Sequence, residues 1–340
     1  MHYRVAIYNY LSHYLSERNI NFSVLAECIQ NNNPHPVTFD FINKNPGIIS
    51  ITKTLLQSRP DAIILFVNLK HLYLFPVLLI AKALGIKVIY WGHGKDVQDP
   101  DGVIKNLLYG LEFYMVDQII LYSDQLIKHV GANQHYKIHI ANNTLAITRQ
   151  YFEDEKIQDL KTKHNVSENI IIVFVGRIQK YKRVNDLLRA FHKIKNNDVG
   201  LVIVGSDDEN LLGNTDHKRI HYVGALYGDE LYMMLSLADI YCMPGAIGLS
   251  IVDAFLYGLP IVTEDVQHGP EIMYLRNGVN GFVVPVGDID ALTEKLELLS
   301  YDKSLRESMS EQAINEISTN GSIDKMCEGF LSAIESSCST

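Results

Sequence analysis

Two glycines and two cations are placed so that together they could hold a multiply charged anion. Residues 244–263 read Pro-Gly-Ala-Ile-Gly-Leu-Ser-Ile-Val-Asp-Ala-Phe-Leu-Tyr-Gly-Leu-Pro-Ile-Val-Thr. This is the pattern of a buried strand (239–243), a glycine turn, an apolar helix from about 250 to 257 and a second strand (260–263). Gly245 and Gly248 let the backbone turn tightly and approach a ligand. The amides of Gly248, Leu249 and Ser250 then lack helical acceptors at the positive end of the helix dipole, where an anion is favoured.

A second segment supplies formal charge. After a strand at 169–175 come Gly176-Arg177-Ile178-Gln179-Lys180-Tyr181-Lys182-Arg183 and then an amphipathic helix. Arg177 and Lys182 are separated by a short loop and can converge on one anion. A guanidinium fork with an ammonium point charge suits a diphosphate, whose negative charge grows as it departs. A solvated basic loop would read the same way in isolation. The glycine turn is what favours the anion site.

These segments need a scaffold that brings strand ends together. Strand-like runs at 3–9, 36–41, 61–67, 87–91, 118–122 and 137–141 alternate with helical stretches at 48–57, 73–84, 103–115 and 125–130. The rhythm resumes with strands at 169–175, 199–204, 219–223, 239–243, 260–263 and 281–285, and helices at 184–195, 230–238, 250–257, 270–276 and 289–299. Strand, crossover and strand at this spacing predict parallel sheets covered by helices. The 340 residues suit two such domains, 1–150 and 151–320, with the polar stretch 149–168 as linker. Helical patterns at 305–317 and 323–336 follow no further strand, and a helix over 320–340 is expected to pack back on the first domain. The fold class is α/β, two doubly wound Rossmann-like domains facing across a cleft, and ligands of such sheets bind outside the carboxyl ends of the strands.

Composition narrows the function class. Apolar content of 47% and charge of 20% describe a soluble globular chain. The first ten residues read as a strand rather than a leader peptide, and the longest apolar run, 72–81, is half of the ~20 residues that span a bilayer. A cytoplasmic protein is expected. Cys28, Cys242, Cys327 and Cys338 form no CxxC pair, so neither a disulfide framework nor a zinc site is suggested. Residues 1–150 hold 13 Lys+Arg against 10 Asp+Glu, and residues 151–340 hold 17 against 29. The acidic half argues against nucleic acid, while the first half could rest peripherally on the inner face of an anionic membrane. Random drift of surface charge is the plainer explanation.

Taken together, Val-Phe-Val-Gly-Arg-x5-Lys (173–182), Val-Gly-Ser (204–206), Tyr-Val-Gly (222–224), Ala-Asp-Ile-Tyr (238–241), Gly-Leu-Ser-x2-Asp-Ala-x3-Gly-Leu-Pro (248–260) and Gly-Pro-Glu-Ile followed by Asn-Gly-Val-Asn-Gly (269–281) resemble glycosyltransferase family 4. These are the group 1 retaining enzymes of the GT-B fold. The resemblance is dense from about 170 to 300 and weaker over 1–150. It implies that Arg177 and Lys182 hold the donor diphosphate, that Gly248, Leu249 and Ser250 contact phosphate or sugar, and that Asp253 binds ribose hydroxyls. Glu271 would approach donor hydroxyls, although a carboxylate at a helix start also stabilises its own helix. Gly205 would lie near the base. Asn142-Asn143-Thr144 looks like the family's interdomain hinge.

The chain departs from the pattern at two places, the shorter carboxylate of Asp253 still being able to accept two hydroxyl bonds. The family's paired acidic groups stand eight positions apart, and here those positions are Gly245 and Asp253. Gly245 offers no side chain to a sugar hydroxyl, so main-chain groups of Ala246 and Ile247 serve instead or the donor is held differently.

His93 in Gly92-His93-Gly94 follows a strand of the first domain and resembles the family histidine that reaches the transferring sugar. Asp96 could be its neighbour or the cap of a following turn. Asp288-Ile289-Asp290 resembles a metal-binding DxD, but Asp288 reads better as a helix cap. Asp207-Asp208-Glu209 lacks a third ligand set. No GxGxxG follows the first strand and no GxSxG occurs, which leaves nicotinamide redox chemistry and the common serine hydrolases unsupported. The expected activity is metal-independent, retaining transfer of a sugar from a UDP or GDP donor to a glycan or lipid-linked acceptor of the bacterial surface, with no further cofactor. A nucleotide-sugar epimerase or hydrolase and an inactive nucleotide-binding subunit are the rivals.

Overall fold

The computed structural model describes residues 2–28, 35–65, 74–94, 103–213 and 215–338. The chain divides into two units, Met1–Ile147 with Gly321–Thr340, and Thr148–Asn320.

The first unit contains α1 (His2–Ser16), β1 (Ser23–Ala26), β2 (Asp40–Asn43), α2 (Ile48–Ser58), β3 (Ala62–Leu65), α3 (Leu74–Ala83), β4 (Lys87–Gly92), α4 (Val103–Met115), β5 (Gln118–Leu121) and β6 (Ile138–Ile140). β3 to β6 form a parallel sheet in sequence order, and β1 and β2 form a separate parallel pair. Val88, Ile89, Tyr90 and Trp91 of β4 are all buried. A strand covered on both faces needs such a continuous apolar run.

The second unit contains α5 (Asp154–Lys163), β7 (Ile170–Val175), α6 (Val184–Phe191), β8 (Val199–Val204), β9 (Ile220–Gly224), α7 (Gly228–Ser236), β10 (Ile240–Cys242), α8 (Ser250–Leu256), β11 (Ile261–Glu264), β12 (Gly281–Val284), α9 (Ile289–Tyr301) and α10 (Lys303–Asn320). Its six strands are parallel in the order β9-β8-β7-β10-β11-β12. The chain thus starts in the middle, winds one way to β9 and returns to wind the other way to β12. That is the doubly wound arrangement, and its direction reverses between the paired neighbours β7 and β10. In sheets of this kind ligands bind outside the carboxyl ends of the strands at such a reversal.

The chain then returns to the first unit. α11 (Ile323–Cys338) packs on β4, β5, β6 and α1, burying Met326, Cys327, Phe330 and Ala333. Phe330 meets Trp91 edge to face at 5.0 Å.

Several local readings of the sequence are overturned. The segment expected as a strand at 3–9 lies within helix α1. Its alternation of apolar and polar residues is genuine, but Ile7, Leu11 and Leu15 recur every four residues and all three are buried, so the helical stripe outlasts the strand pattern. The strand expected at 36–41 is β2, shifted to Asp40–Asn43, and β1 was not anticipated. The linker segment carries helix α5, whose Leu160 is its one buried anchor. The helices expected at 125–130 and 270–276 are 3-10 turns. No helix among the described residues is long and apolar enough to cross a membrane.

Candidate functional site

The loop after β7 is tied down before it reaches Lys182. Gly176 and Gly205 end β7 and β8 with φ of 154° and 151°, and the carbonyl of Gly176 lies where a β-carbon on Gly205 would stand. The two strand ends can pack this closely only with glycine at 205. Ile178 is buried, and its amide donates to Ser206 O at 2.8 Å. A 3-10 turn, Lys180–Lys182, follows. Arg183 adopts a left-handed conformation, φ 55°, and its guanidinium reaches Asp186 at 2.6 Å and the fully buried Glu264 at 2.8 Å. Glu264 also accepts the Gly287 amide at 2.8 Å, so this ion pair fixes the turn that carries Lys182 to the end of β11.

The loop after β10 is stitched to the same turn. Gly245 and Ala246 donate their amides to the carbonyls of Lys182 and Tyr181, each at 3.0 Å. Lys182 returns the contact, its Nζ donating to Ala246 O and lying 3.4 Å from Met243 Sδ. Burial lowers the Lys182 pKa to about 8. Glu271 counteracts that shift, and Arg177 adds to it. Arg177 is itself exposed. Arg177 and Glu271 are therefore both electrostatic neighbours of Lys182, beyond the ends of β7 and β10.

The turn ahead of α8 is held on its other side by His268. Its Nδ1 accepts the Ile247 amide at 3.1 Å, and its Nε2 lies 2.9 Å from Glu264 O. An amide can only donate and a carbonyl can only accept, so the ring is the neutral Nε2–H tautomer. Burial lowers its pKa. Gly269 donates to Ile247 O at 3.0 Å. Glu271, also buried, folds its carboxylate against Gly269, with Gly248 next to it.

With these bonds made, all four backbone polar groups of Ala246 and Ile247 are engaged within the protein. Their two amides are thereby spent, while each carbonyl oxygen holds one internal donor and keeps a second lone pair. The amides of Gly248, Leu249 and Ser250 precede the first turn of α8 and donate to no carbonyl among the described residues. The Ser250 hydroxyl is hydrogen-bonded to Tyr241. Asp253, one turn along α8, has its pKa raised to about 7 by burial and faces Tyr232, Tyr241 and Tyr257.

In the first unit, His93 follows β4 and its ring contacts Tyr122 at 4.7 Å. Tyr90 supports this loop from beneath, accepting the Gly94 amide at 3.0 Å. Asp96 lies outside the described residues. Asn143 donates to Tyr122 O at 3.0 Å, and Thr144 is buried with its hydroxyl on Gly321 O, where the chain re-enters the first unit. Asp288 caps α9 through the Ala291 amide at 2.9 Å, and Asp207 caps its own loop through Leu211 and Leu212. Both are structural carboxylates.

His268, Arg183 and Glu264 were missed from the sequence. Their roles come from tertiary partners, such as Ile247 at 21 positions from His268 and Gly287 at 23 from Glu264, which residue type and spacing do not encode.

Residues 156–316 match the family model described as glycosyl transferases group 1. Among curated proteins, the chain is 27% identical over 244 residues, 67% of its length, to N-acetyl-alpha-D-glucosaminyl L-malate synthase of Bacillus anthracis, and 26% identical over 179 residues, 50% of its length, to the capsular polysaccharide biosynthesis glycosyltransferase CapM of Staphylococcus aureus. These stretches span 62% and 46% of the two relatives. Among solved structures, a glycosyltransferase from Rickettsia africae superposes with a TM-score of 0.78 at 16% identity, covering 98% of this chain and 93% of the other. Anabaena HepE in complex with UDP and glucose gives 0.72 at 16% identity, covering 97% and 96%. The architecture is therefore that of the GT-B glycosyltransferases, and residues 156–316 are similar to the glycosyl transferases of group 1.

Proposed function

We propose that the protein is a retaining glycosyltransferase that moves a sugar from a nucleotide-diphosphate donor, UDP or GDP, to a glycan or lipid-linked acceptor in bacterial surface polysaccharide or lipopolysaccharide synthesis. The observation that carries this reading is the electrostatic coupling of Lys182 to Arg177 and Glu271 beyond the ends of β7 and β10, with Glu271 lying beside Gly248 at the start of α8. The UDP complex of the Anabaena neighbour and the capsular role of the Staphylococcus relative support the donor and the product class.

A diphosphate is already a good leaving group, so the protein has to position the reactants and stabilise charge. Arg177 and Lys182 neutralise the charge that grows on the departing phosphate, and these fixed cations take the place of a divalent metal. Glu271 accepts from donor hydroxyls, Asp253 from the ribose, and main-chain groups near Gly205 meet the base. His93 is assigned to the transferring sugar. The acceptor oxygen bonds to the anomeric carbon on the face the diphosphate leaves, the carbon–oxygen bond to phosphate breaks, and the acceptor proton passes to the leaving phosphate oxygen, which retains configuration.

Incubation with UDP- and GDP-sugars, with and without an acceptor extract, tests the assignment. Acceptor-dependent nucleotide release with retained anomeric configuration is expected. Acceptor-free isomerisation or hydrolysis would make the protein an epimerase or hydrolase, and saturable binding without release would make it a binding subunit.

A further inference from the structure

One peptide group lies between two side chains of the site. Lys182 Nζ donates to the carbonyl of Ala246, and the amide of Ile247 donates to His268 Nδ1. These are the C=O and the N–H of a single peptide unit, which is trans, so its two polar ends point in opposite directions. The plane is consequently gripped from both sides. The next carbonyl, Ile247 O, is held by Gly269 N–H from the loop that carries His268. The imidazole is anchored in turn, because its Nε2–H donates to Glu264 O, and Glu264 is the buried carboxylate that grips Arg183 next to Lys182.

We infer that His268 is a positioning residue for Lys182: by holding the Ala246–Ile247 peptide plane, it fixes the carbonyl that parks the ammonium at the anion site. The inference rests on the donor reading above. It demands the neutral ring, since only an unprotonated Nδ1 accepts the Ile247 amide. A protonated ring would aim an N–H at that amide, rotate the plane, and withdraw the Ala246 carbonyl from Lys182.

The surroundings favour the neutral form. Burial is the largest cause of the lowered His268 pKa and the Lys182 ammonium adds to it, while the Glu264 carbonyl and the nearby Asp265 carboxylate act the other way. Arg183 and Glu264 face the same turn but are spent on each other. A cation that needs its neighbour neutral, and lowers that neighbour's pKa, makes the arrangement self-consistent.

The test uses three full-length proteins: wild type, His268→Phe, which removes the acceptor, and His268→Asn, whose Oδ1 replaces Nδ1 but does not titrate between pH 5 and 8. UDP and GDP affinities are measured by calorimetry across that range, with melting temperatures as a folding control. The inference expects His268→Phe to bind about tenfold more weakly at pH 7.5, the scale of one buried donor left without its acceptor. His268→Asn should bind near wild type at pH 7.5 and lose less affinity than wild type on acidification, the phosphate's own titration being common to both. Wild-type affinity in a folded His268→Phe protein, or an equally steep acid loss in His268→Asn, overturns it. Should His268→Phe not fold, the pH comparison with His268→Asn decides. Failure of wild type to bind UDP, GDP or pyrophosphate at any pH removes the donor reading, and this inference with it. Binding that is indifferent to residue 268 removes the inference alone.

Discussion

The carbonyl of Tyr181 occupies the place where a side chain on Gly245 would begin. The backbone of Lys182 closes in from the same side, and the two segments are joined by paired hydrogen bonds of 3.0 Å. The position at which group 1 relatives were expected to carry a carboxylate is thus filled by main chain. Gly245→Ala and Gly245→Glu should both push the Lys182 turn off the α8 loop. Overpacking a tight contact costs about 1–3 kcal/mol, so both variants should melt lower than wild type, and neither should gain turnover. A Gly245→Glu protein more active than wild type would contradict this account.

Lys182 gives the site a basic limit. Its pKa is lowered to about 8 by burial, so the ammonium is charged at pH 7 and loses its proton as pH rises through 8. Donor affinity and kcat/KM should fall over that interval, and Lys182→Arg should move the fall to higher pH. Removing the cation in Lys182→Ala, or the guanidinium in Arg177→Ala, should lower kcat by about 10²-fold, the scale for a lost charge-stabilising donor. A pH–rate series on the three proteins checks both points.

Asp253 should trade stability for binding. Burial raises its pKa to about 7, above the ~3.9 of an unfolded aspartate. The folded carboxyl therefore keeps its proton longer than the unfolded one, and stability falls as pH rises from about 4 to 7. Asp253→Asn should remove that slope and melt higher than wild type at pH 8, by roughly 2–4 °C for each kcal/mol relieved, while binding UDP or GDP more weakly. Thermal melts at pH 4 and pH 8, paired with calorimetry, separate the two effects.

Glu112 makes the same argument in the first unit. It is 1% exposed, its Oε1 has no hydrogen-bond partner among the described residues, and burial raises its pKa to about 8. Stability should decline between about pH 4.5 and 8, as the unfolded chain releases this proton and the folded chain retains it. Glu112→Gln should flatten that decline without changing nucleotide affinity. An unchanged pH dependence of melting in Glu112→Gln would show that the carboxyl ionises freely in the folded protein.

The amino-acid sequence by itself determined most of the strands and helices, because burial between two helical layers demands continuous apolar runs such as 170–175 and 199–204, and these are legible without coordinates. It also determined which loops carry the cations, since Arg177 and Lys182 follow a strand end whose glycine permits the exit. Residues 3–9 misled because a short helix and a strand can share one apolar alternation, and only the packing of Ile7, Leu11 and Leu15 decided between them. Tertiary structure alone decided that β7 and β10 are neighbours, that a backbone carbonyl displaces any side chain at 245, and that Lys182 and His268 take hold of one peptide from opposite sides. Those are contacts between segments dozens of residues apart, made through main-chain atoms that every residue shares, so residue identity could not announce them.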